Sequence, residues 1–503
     1  MSRLFLVLSG LLFISILSAQ VCGTPQETLL ERVDAHKSSP AFYQRSAQKY
    51  IPVTFHLVAR SNGTGRVTEE EVFKQVASLN AQYEDQDALF YIDRLNYFDN
   101  DAVYNTPSSS AARTQMNLRR DNNSVNIYIT GLAESNSGSP GVTLAYYDPQ
   151  DDWIVSRKDQ IGGTLSTVAH ELGHFFSLPH PFSGWDCHPY TLTEYTNPVS
   201  VQFTIPCDGG GGSALIELQN GNNCNVSGDR ICDTPPDYNL GLLFQSDCAE
   251  NTSVKDINST LITPMVNNVM SYYNGCASYA FTPNQKTLIN ADFFSAQRQY
   301  IRTGNIPKTD SVTGPVVYIS PINGQNTPSV TNIVLDWEDT PGANKYMILV
   351  AQNASFSINA EKYFTTASTL TLENDLIEGG NYFWKVWPYN ESQTGAMYSA
   401  TQNFRAGGGV GINEIKEVSN YSLVPNPVNN QQQALLTLSS LKAFDAEMKV
   451  SDASGQILYS QPISVTSGIS QHEINTNHLP GGIYFVMLHA PSGMLVERLL
   501  ILE

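Results

Sequence analysis

The chain has 503 residues, of which 41% are hydrophobic and 15% charged, so it is long enough for several folded domains and too apolar for a disordered chain. Lys and Arg number 28 against 47 Asp and Glu, a net charge of −19. That balance excludes nucleic acid as the main partner and disfavours docking on anionic lipid.

In chain order, the N-terminus reads first as a secretory signal over residues 1–19. Arg3 supplies a positive charge, Leu4 to Leu17 is mostly apolar, and Leu17-Ser18-Ala19 offers a small-residue cleavage site. The run is too short to span a bilayer, no later stretch is apolar enough to do so, and an exported protein with no membrane span is expected. Cys22 follows Val21 rather than a small residue, which argues against a lipoprotein anchor.

Residues 20–48 are polar and show little periodicity. Ile51, Val53, Phe55 and Leu57 then alternate with Pro52, Thr54 and His56, the pattern of a half-buried strand. Thr68 with Glu71 three residues on spells a capping box, and Val72, Val76, Leu79 and Tyr83 follow at helical spacing. Val125, Ile127 and Ile129 predict another strand. Residues 181–260 have the Gly, Asn, Asp and Cys content of crosslinked loops.

Cys187, Cys207, Cys224, Cys232, Cys248 and Cys276 can pair in 15 ways, and sequence does not choose among them. Export and the lack of a C-x-x-C pair favour disulfides over a structural zinc cluster. A linker is expected over 303–315, followed by an all-β module over 314–406. Trp337, Tyr346, Tyr382 and Trp384 are its candidate core aromatics. A glycine run at 407–409 marks a second break, and residues 411–503 again show short strands separated by turns such as Asp452-Ala453-Ser454-Gly455.

The strongest chemical signal is His170-Glu171-Leu172-Gly173-His174, with a further histidine at His180. On a helix, His170 and His174 leave the same face one turn apart, so both imidazoles can reach one Zn²⁺ at roughly 2.0–2.1 Å. Glu171, beside a ligand but not itself one, is placed to act as general base toward a water that the metal activates. Pro179 pushes the preceding residue out of helix, so the chain turns and can return His180 to the metal. Three histidines leave a fourth position open, as a catalytic site requires.

The spacing HExxHxxxxxH resembles the long zinc signature of the metzincin metalloproteases. Asn268-Val269-Met270-Ser271-Tyr272 is similar to the Met-turn of that group. The resemblance implies Met270 as the floor beneath the metal and Tyr272 as support for the tetrahedral oxyanion. Gly228-Asp229-Arg230-Ile231-Cys232-Asp233-Thr234-Pro235-Pro236, Phe281-Thr282-Pro283-Asn284-Gln285 and Cys22-Gly23-Thr24 resemble the pappalysin (cytophagalysin) family in particular.

That likeness, spanning about residues 22–300, implies a catalytic domain over 49–303 and a pro-segment over 20–48, released by a cut near Arg45. It also implies a latent zymogen with Cys22 as the latency switch. Some relatives bind calcium near the cleft; Asp229, Asp233 and Asp237 are hard donors for it, and solvated loop carboxylates are the equal alternative. Ser177 stands where the family usually has Gly, which would cost roughly 1 kcal/mol if the turn is left-handed. Tyr273-Asn274-Gly275 lacks the acidic residue that suits a basic residue after the scissile bond, so Arg/Lys specificity is not carried over.

Residues 314–406 resemble a fibronectin type III or immunoglobulin-like sandwich. Residues 411–503 resemble the sorting domain of the bacterial type IX secretion system, through Val424-Pro425-Asn426-Pro427, Leu479-Pro480-Gly481-Gly482-Ile483-Tyr484 and Glu497-Arg498-Leu499-Leu500-Ile501. The expected whole is an α+β metzincin-like domain, a twisted sheet with two long helices of which the second carries the zinc motif, followed by two all-β sandwich modules. It would be a zinc metalloendopeptidase exported through both membranes of a Gram-negative bacterium, acting on extracellular protein and peptide substrates. An adhesin with a degenerate protease domain and a hydrolase of non-peptide bonds are the competing readings; Glu171 being present argues against the first.

Overall fold

The computed structural model describes residues 20–38, 48–134, 142–163, 165–186, 189–191, 195–199, 203–204, 214–242, 248–249, 253–304, 306–407, 415–429 and 432–502. The signal segment, Arg45, Cys187 and Cys207 lie outside the described residues, as does the Cys22 side chain. The protein is mostly β-sheet with few helices, and its contacts divide it into two units. The first holds residues 1–314 with 340–346 and 387–398, and the second holds the rest.

A six-stranded sheet organises the first unit. Its strands are β1 (Gln20–Cys22), β2 (Lys49–Ala59), β3 (Ala88–Asp99), β4 (Val125–Thr130), β5 (Val142–Asp148) and β6 (Trp153–Arg157). The spatial order is β1-β5-β6-β4-β2-β3. β3, β2, β4 and β6 run parallel, β5 runs antiparallel to β6, and β1 lies parallel to β5 at the edge.

The helices of this unit are α1 (Glu27–Lys37), α2 (Glu69–Gln82), α3 (Asp101–Asn105), α4 (Ser110–Asn117), α5 (Thr167–Phe175) and α6 (Pro283–Phe294). α3 and α4 cover one sheet face, where Val103, Tyr104, Ala112 and Met116 pack with Val58, Tyr128, Trp153 and Val155. α2 contacts β3, while α5 contacts β5 and β6.

Four sequence expectations change. β2 is buried along nearly its whole length rather than on alternate residues, because an inner parallel strand has helices over both faces. The segment after the signal is not featureless: α1 forms there, burying Leu29 and Val33. The second long helix is α5, and it is only nine residues long. Of the expected capping box at Thr68, only the forward half forms. Thr68 accepts from the Glu71 amide, while the Glu71 carboxylate pairs with Lys74.

Two β modules lie further along the chain. In the first, a five-stranded and a three-stranded sheet bury Trp337, Tyr346, Tyr382 and Trp384, the four aromatics expected in its core. The other has a three-stranded and a five-stranded sheet around Leu436, Leu438, Met448, Val450, Val486, Leu488 and Leu499. Its turn at 452–455 is held by Asp452 Oδ1, which accepts from the amides of Ser454 (2.8 Å) and Gln456 (3.0 Å). No helix among the described residues is long and apolar enough to cross a membrane.

Candidate metal centre

α5 carries the histidine pair, and the turn that ends it delivers the third ring. Ser177 has φ +69°, its amide donates to His174 O (2.8 Å), and the Leu178 amide donates to Gly173 O (2.9 Å). This left-handed closure reverses the chain within two residues of the helix. Gly173 is the other sequence requirement: a Cβ there would collide with the Met270 sulfur. A helix-interior glycine, normally destabilising, is the condition for Met270 to lie against α5.

The three rings converge. His170, His174 and His180 are all buried, and one ligand atom from each lies within 4.8 Å of the others. His180 Nε2 is 3.1 Å from Nε2 of both His170 and His174. The opposite ring nitrogens are committed elsewhere. His170 Nδ1 donates to Val269 O (2.8 Å), and His174 Nδ1 donates to Leu178 O (2.7 Å). His180 Nδ1 faces Asp186 Oδ1 at 2.6 Å.

Carbonyls only accept, so Nδ1 of His170 and His174 must carry the proton, and their Nε2 lone pairs point at a common centre. Burial, then the neighbouring rings, pushes His170 down to about 3 and His174 well below the usual range. Three imidazole nitrogens facing one another in a buried site are a donor set that could hold a metal ion.

Around this centre the expected residues fall as follows. Glu171 is buried and accepts from Thr24 Oγ1 (3.1 Å). Tyr272 sets its ring 5.1 Å from that of His180 and 5.8 Å from that of His170. Met270 is fully buried. The Met-turn is pinned from two sides: Asn268 Oδ1 accepts from the Met270 amide (2.9 Å), and Ser271 Oγ donates to buried Asp237. Burial raises the Asp237 carboxyl to about 6, against the opposing pull of Ser271.

Asp233 spends both oxygens on the start of α6, accepting from Thr282 Oγ1 and from the Asn284 amide, each at 2.8 Å. Asp229 is fully buried; its Oδ2 and Oε2 of Glu217 have no hydrogen-bond partner among the described residues. Burial, then the Asp229 charge, raises Glu217 to about 9, and burial holds Asp229 well above the usual range. Disulfides Cys224–Cys232 and Cys248–Cys276 close the loops around these carboxylates and downstream of Tyr272.

Several residues of the site escaped sequence reasoning. Asp186 orients His180, and Gly184 N fixes it in turn by donating to its second oxygen (3.0 Å). Arg298, fully buried, donates to Phe175 O, the last carbonyl of α5, while paired with Asp292 (2.9 Å) and Asp152 (2.6 Å). It places a cation on the negative end of that helix. Glu217 and Thr24 complete the set. Of these only Asp186, six residues after His180, could have been sought by proximity in sequence.

No curated protein matches the chain. Among solved structures, the chain is similar to the chicken CNTN1 FN1-FN3 domains, with 12% identity, 37% of this chain and 65% of that one covered, and TM-score 0.18. It is also similar to dimeric latent PorU from Porphyromonas gingivalis, with 14% identity, 39% and 20% covered, and TM-score 0.19. The BSP domain of a biofilm associated protein gives 14% identity, 38% and 29% covered, and TM-score 0.18. The chain spans less than two thirds of the length of each. Residues 422–502 match the family model of the secretion system C-terminal sorting domain, and the chain thus carries the type IX address for export to the cell surface or beyond.

Proposed function

We propose that the chain is a secreted zinc metalloendopeptidase of the pappalysin type, and that its substrates are extracellular proteins. The observation that carries the reading is the convergence of three buried Nε2 atoms beside the buried Glu171 carboxylate. His170, His174 and His180 would hold the zinc. Bound there, zinc would supply Lewis-acid polarisation of a peptide carbonyl and a water acidic enough to lose its proton near neutral pH. Glu171 would take that proton at its carboxylate and return it to the departing peptide nitrogen, so no net proton is gained or lost. Tyr272, edge-on to His180, would face the developing oxyanion.

The test uses the exported, naturally processed protein. Casein cleavage should be abolished by 1,10-phenanthroline, restored by zinc, and slowed about 10²–10⁴-fold by Glu171→Gln. Equal rates for Glu171→Gln and the parent would overturn the reading.

The partnerless oxygens of Glu217 and Asp229 support a second cation, and calcium suits such hard donors. Calcium should raise the thermal midpoint of the parent and leave that of Glu217→Gln unmoved; an equal rise in both would place the ion elsewhere.

A further inference from the structure

The segment between the signal and α1 makes three polar contacts with the site, none of which involves a metal. Thr24 Oγ1 lies between two groups: it accepts from the Tyr147 amide of β5 (2.8 Å) and donates to Glu171 Oε2 (3.1 Å). Gln26 Oε1 accepts from the His180 amide (2.9 Å), and Gln26 Nε2 donates to Thr24 O (2.9 Å). The Gly23 amide donates to Ala145 O (3.0 Å), continuing the β1–β5 ladder. Thr24 is 95% buried, and Glu171 and His180 are buried almost completely.

Gln26 is also the residue before the first turn of α1, a position that favours Ser, Thr, Asp or Asn because their short side chains cap the helix. Its side chain makes no capping bond there. A long amide at that place forgoes the cap and reaches the backbone of the third histidine instead. α1 behind it is tied down by Arg32 Nη1 donating to Tyr147 Oη (3.1 Å) and by His36 Nε2 against Asp292 Oδ1 (3.0 Å).

We propose that Tyr147 N, Glu171 Oε2 and His180 N form a docking site for a Thr-x-Gln segment, filled by the chain's own residues 24–26 between β1 and α1. This segment latches the catalytic base in the unprocessed protein. The proposal rests on the metallopeptidase reading for its consequence, but the latch itself does not. A thiol switch at Cys22 would act through zinc and vanish when zinc is stripped. The Thr-x-Gln segment holds protein groups only, so it persists in the zinc-free chain. Thr24 also occupies a lone pair of Glu171 Oε2 that a water proton would need. The latch would act independently of any thiol switch at Cys22, and losing the thiol alone would leave the base engaged.

The test is hydrogen–deuterium exchange on the full zinc-free chain, comparing the parent with Thr24→Val and Thr24→Ser. Thr24→Val keeps the shape and leaves Glu171 Oε2 and the Tyr147 amide without this partner. Exchange of residues 20–26 and 142–148 should rise about tenfold or more, and Thr24→Ser should stay close to the parent. Unchanged exchange in Thr24→Val, or equal loosening in Thr24→Ser, would overturn the latch.

A second arm uses zinc-loaded chain shown by intact mass to be unprocessed. In a Cys22→Ser background, which removes any thiol from the metal, Thr24→Val should cleave a quenched peptide at least tenfold faster than the same chain with Thr24. An equal rate in an otherwise active protein would overturn the consequence for the base. If naturally processed parent cleaves nothing, the peptidase reading fails, while the exchange arm still decides the latch.

Discussion

Ser177 holds a left-handed backbone at the point where α5 must stop, φ +69°, and its hydroxyl is buried with no partner among the described residues. Left-handed geometry costs a residue with a Cβ roughly 1–2 kcal/mol. Glycine would remove that strain and the stranded oxygen, and would return about 0.4–1 kcal/mol through a freer unfolded chain. Ser177→Gly is therefore expected to stabilise the first unit by about 1 kcal/mol net, read as a higher thermal midpoint. A lower midpoint would mean that the hydroxyl has a role the surrounding atoms do not explain. The neighbouring rule is the reverse at Gly173, where any side chain would displace Met270.

Among the elements, β2 shows how far a pattern can be read. Its apolar residues alternate, and alternation suggests one wet face, yet both faces are dry because the flanking strands are parallel. The polar residues are absorbed by local pairing. Ser124 Oγ donates to Thr54 Oγ1 (2.7 Å), and His56 stacks on Tyr128 and meets Asn126 Oδ1 through Nε2 (2.9 Å).

Burial pushes His56 down to about 4, with the Asn126 bond opposing it. The folded ring binds its proton less readily than the unfolded one, whose value is 6.5. Stability from a neutral His56 is complete above about pH 6.5 and drains as pH falls toward about 4. Chemical denaturation of the protein should show that slope, and His56→Gln should flatten it, whatever its effect on stability at neutral pH. An unchanged slope would exonerate His56.

The convergence of the histidines was legible because helical spacing is a local rule and HExxH states it in five residues. α1 was not, since its apolar stripe is short and its anchors lie in β5, the 217–237 loops and α6. Arg298 and Glu217 were equally hidden, and Thr24 stood in a quoted run with no role of its own: each reaches the site from a distant part of the chain, where no spacing rule applies.

At the scale of the molecule, the candidate site and the address lie in different parts of the chain. The first unit holds His170, His174 and His180, while residues 422–502 form part of a β module with its own apolar core. Removing residues 415–503 should leave the first unit folded and keep the protein inside the cell. Immunoblots of culture fluid and cell fractions would check this, and undiminished export would show that the address lies elsewhere.

The hydrogen bond from His170 Nδ1 to Val269 O joins residues 99 apart. A ribosome that has released α5 has not yet supplied the oxygen that fixes which nitrogen of His170 bears the proton. The pair of histidines on α5 is thus present long before it is oriented. Orientation arrives only with the loop carrying Met270, which the Cys248–Cys276 crosslink encloses. Order of synthesis itself therefore withholds the converged arrangement of the three rings from a half-finished chain, with no inhibitor needed.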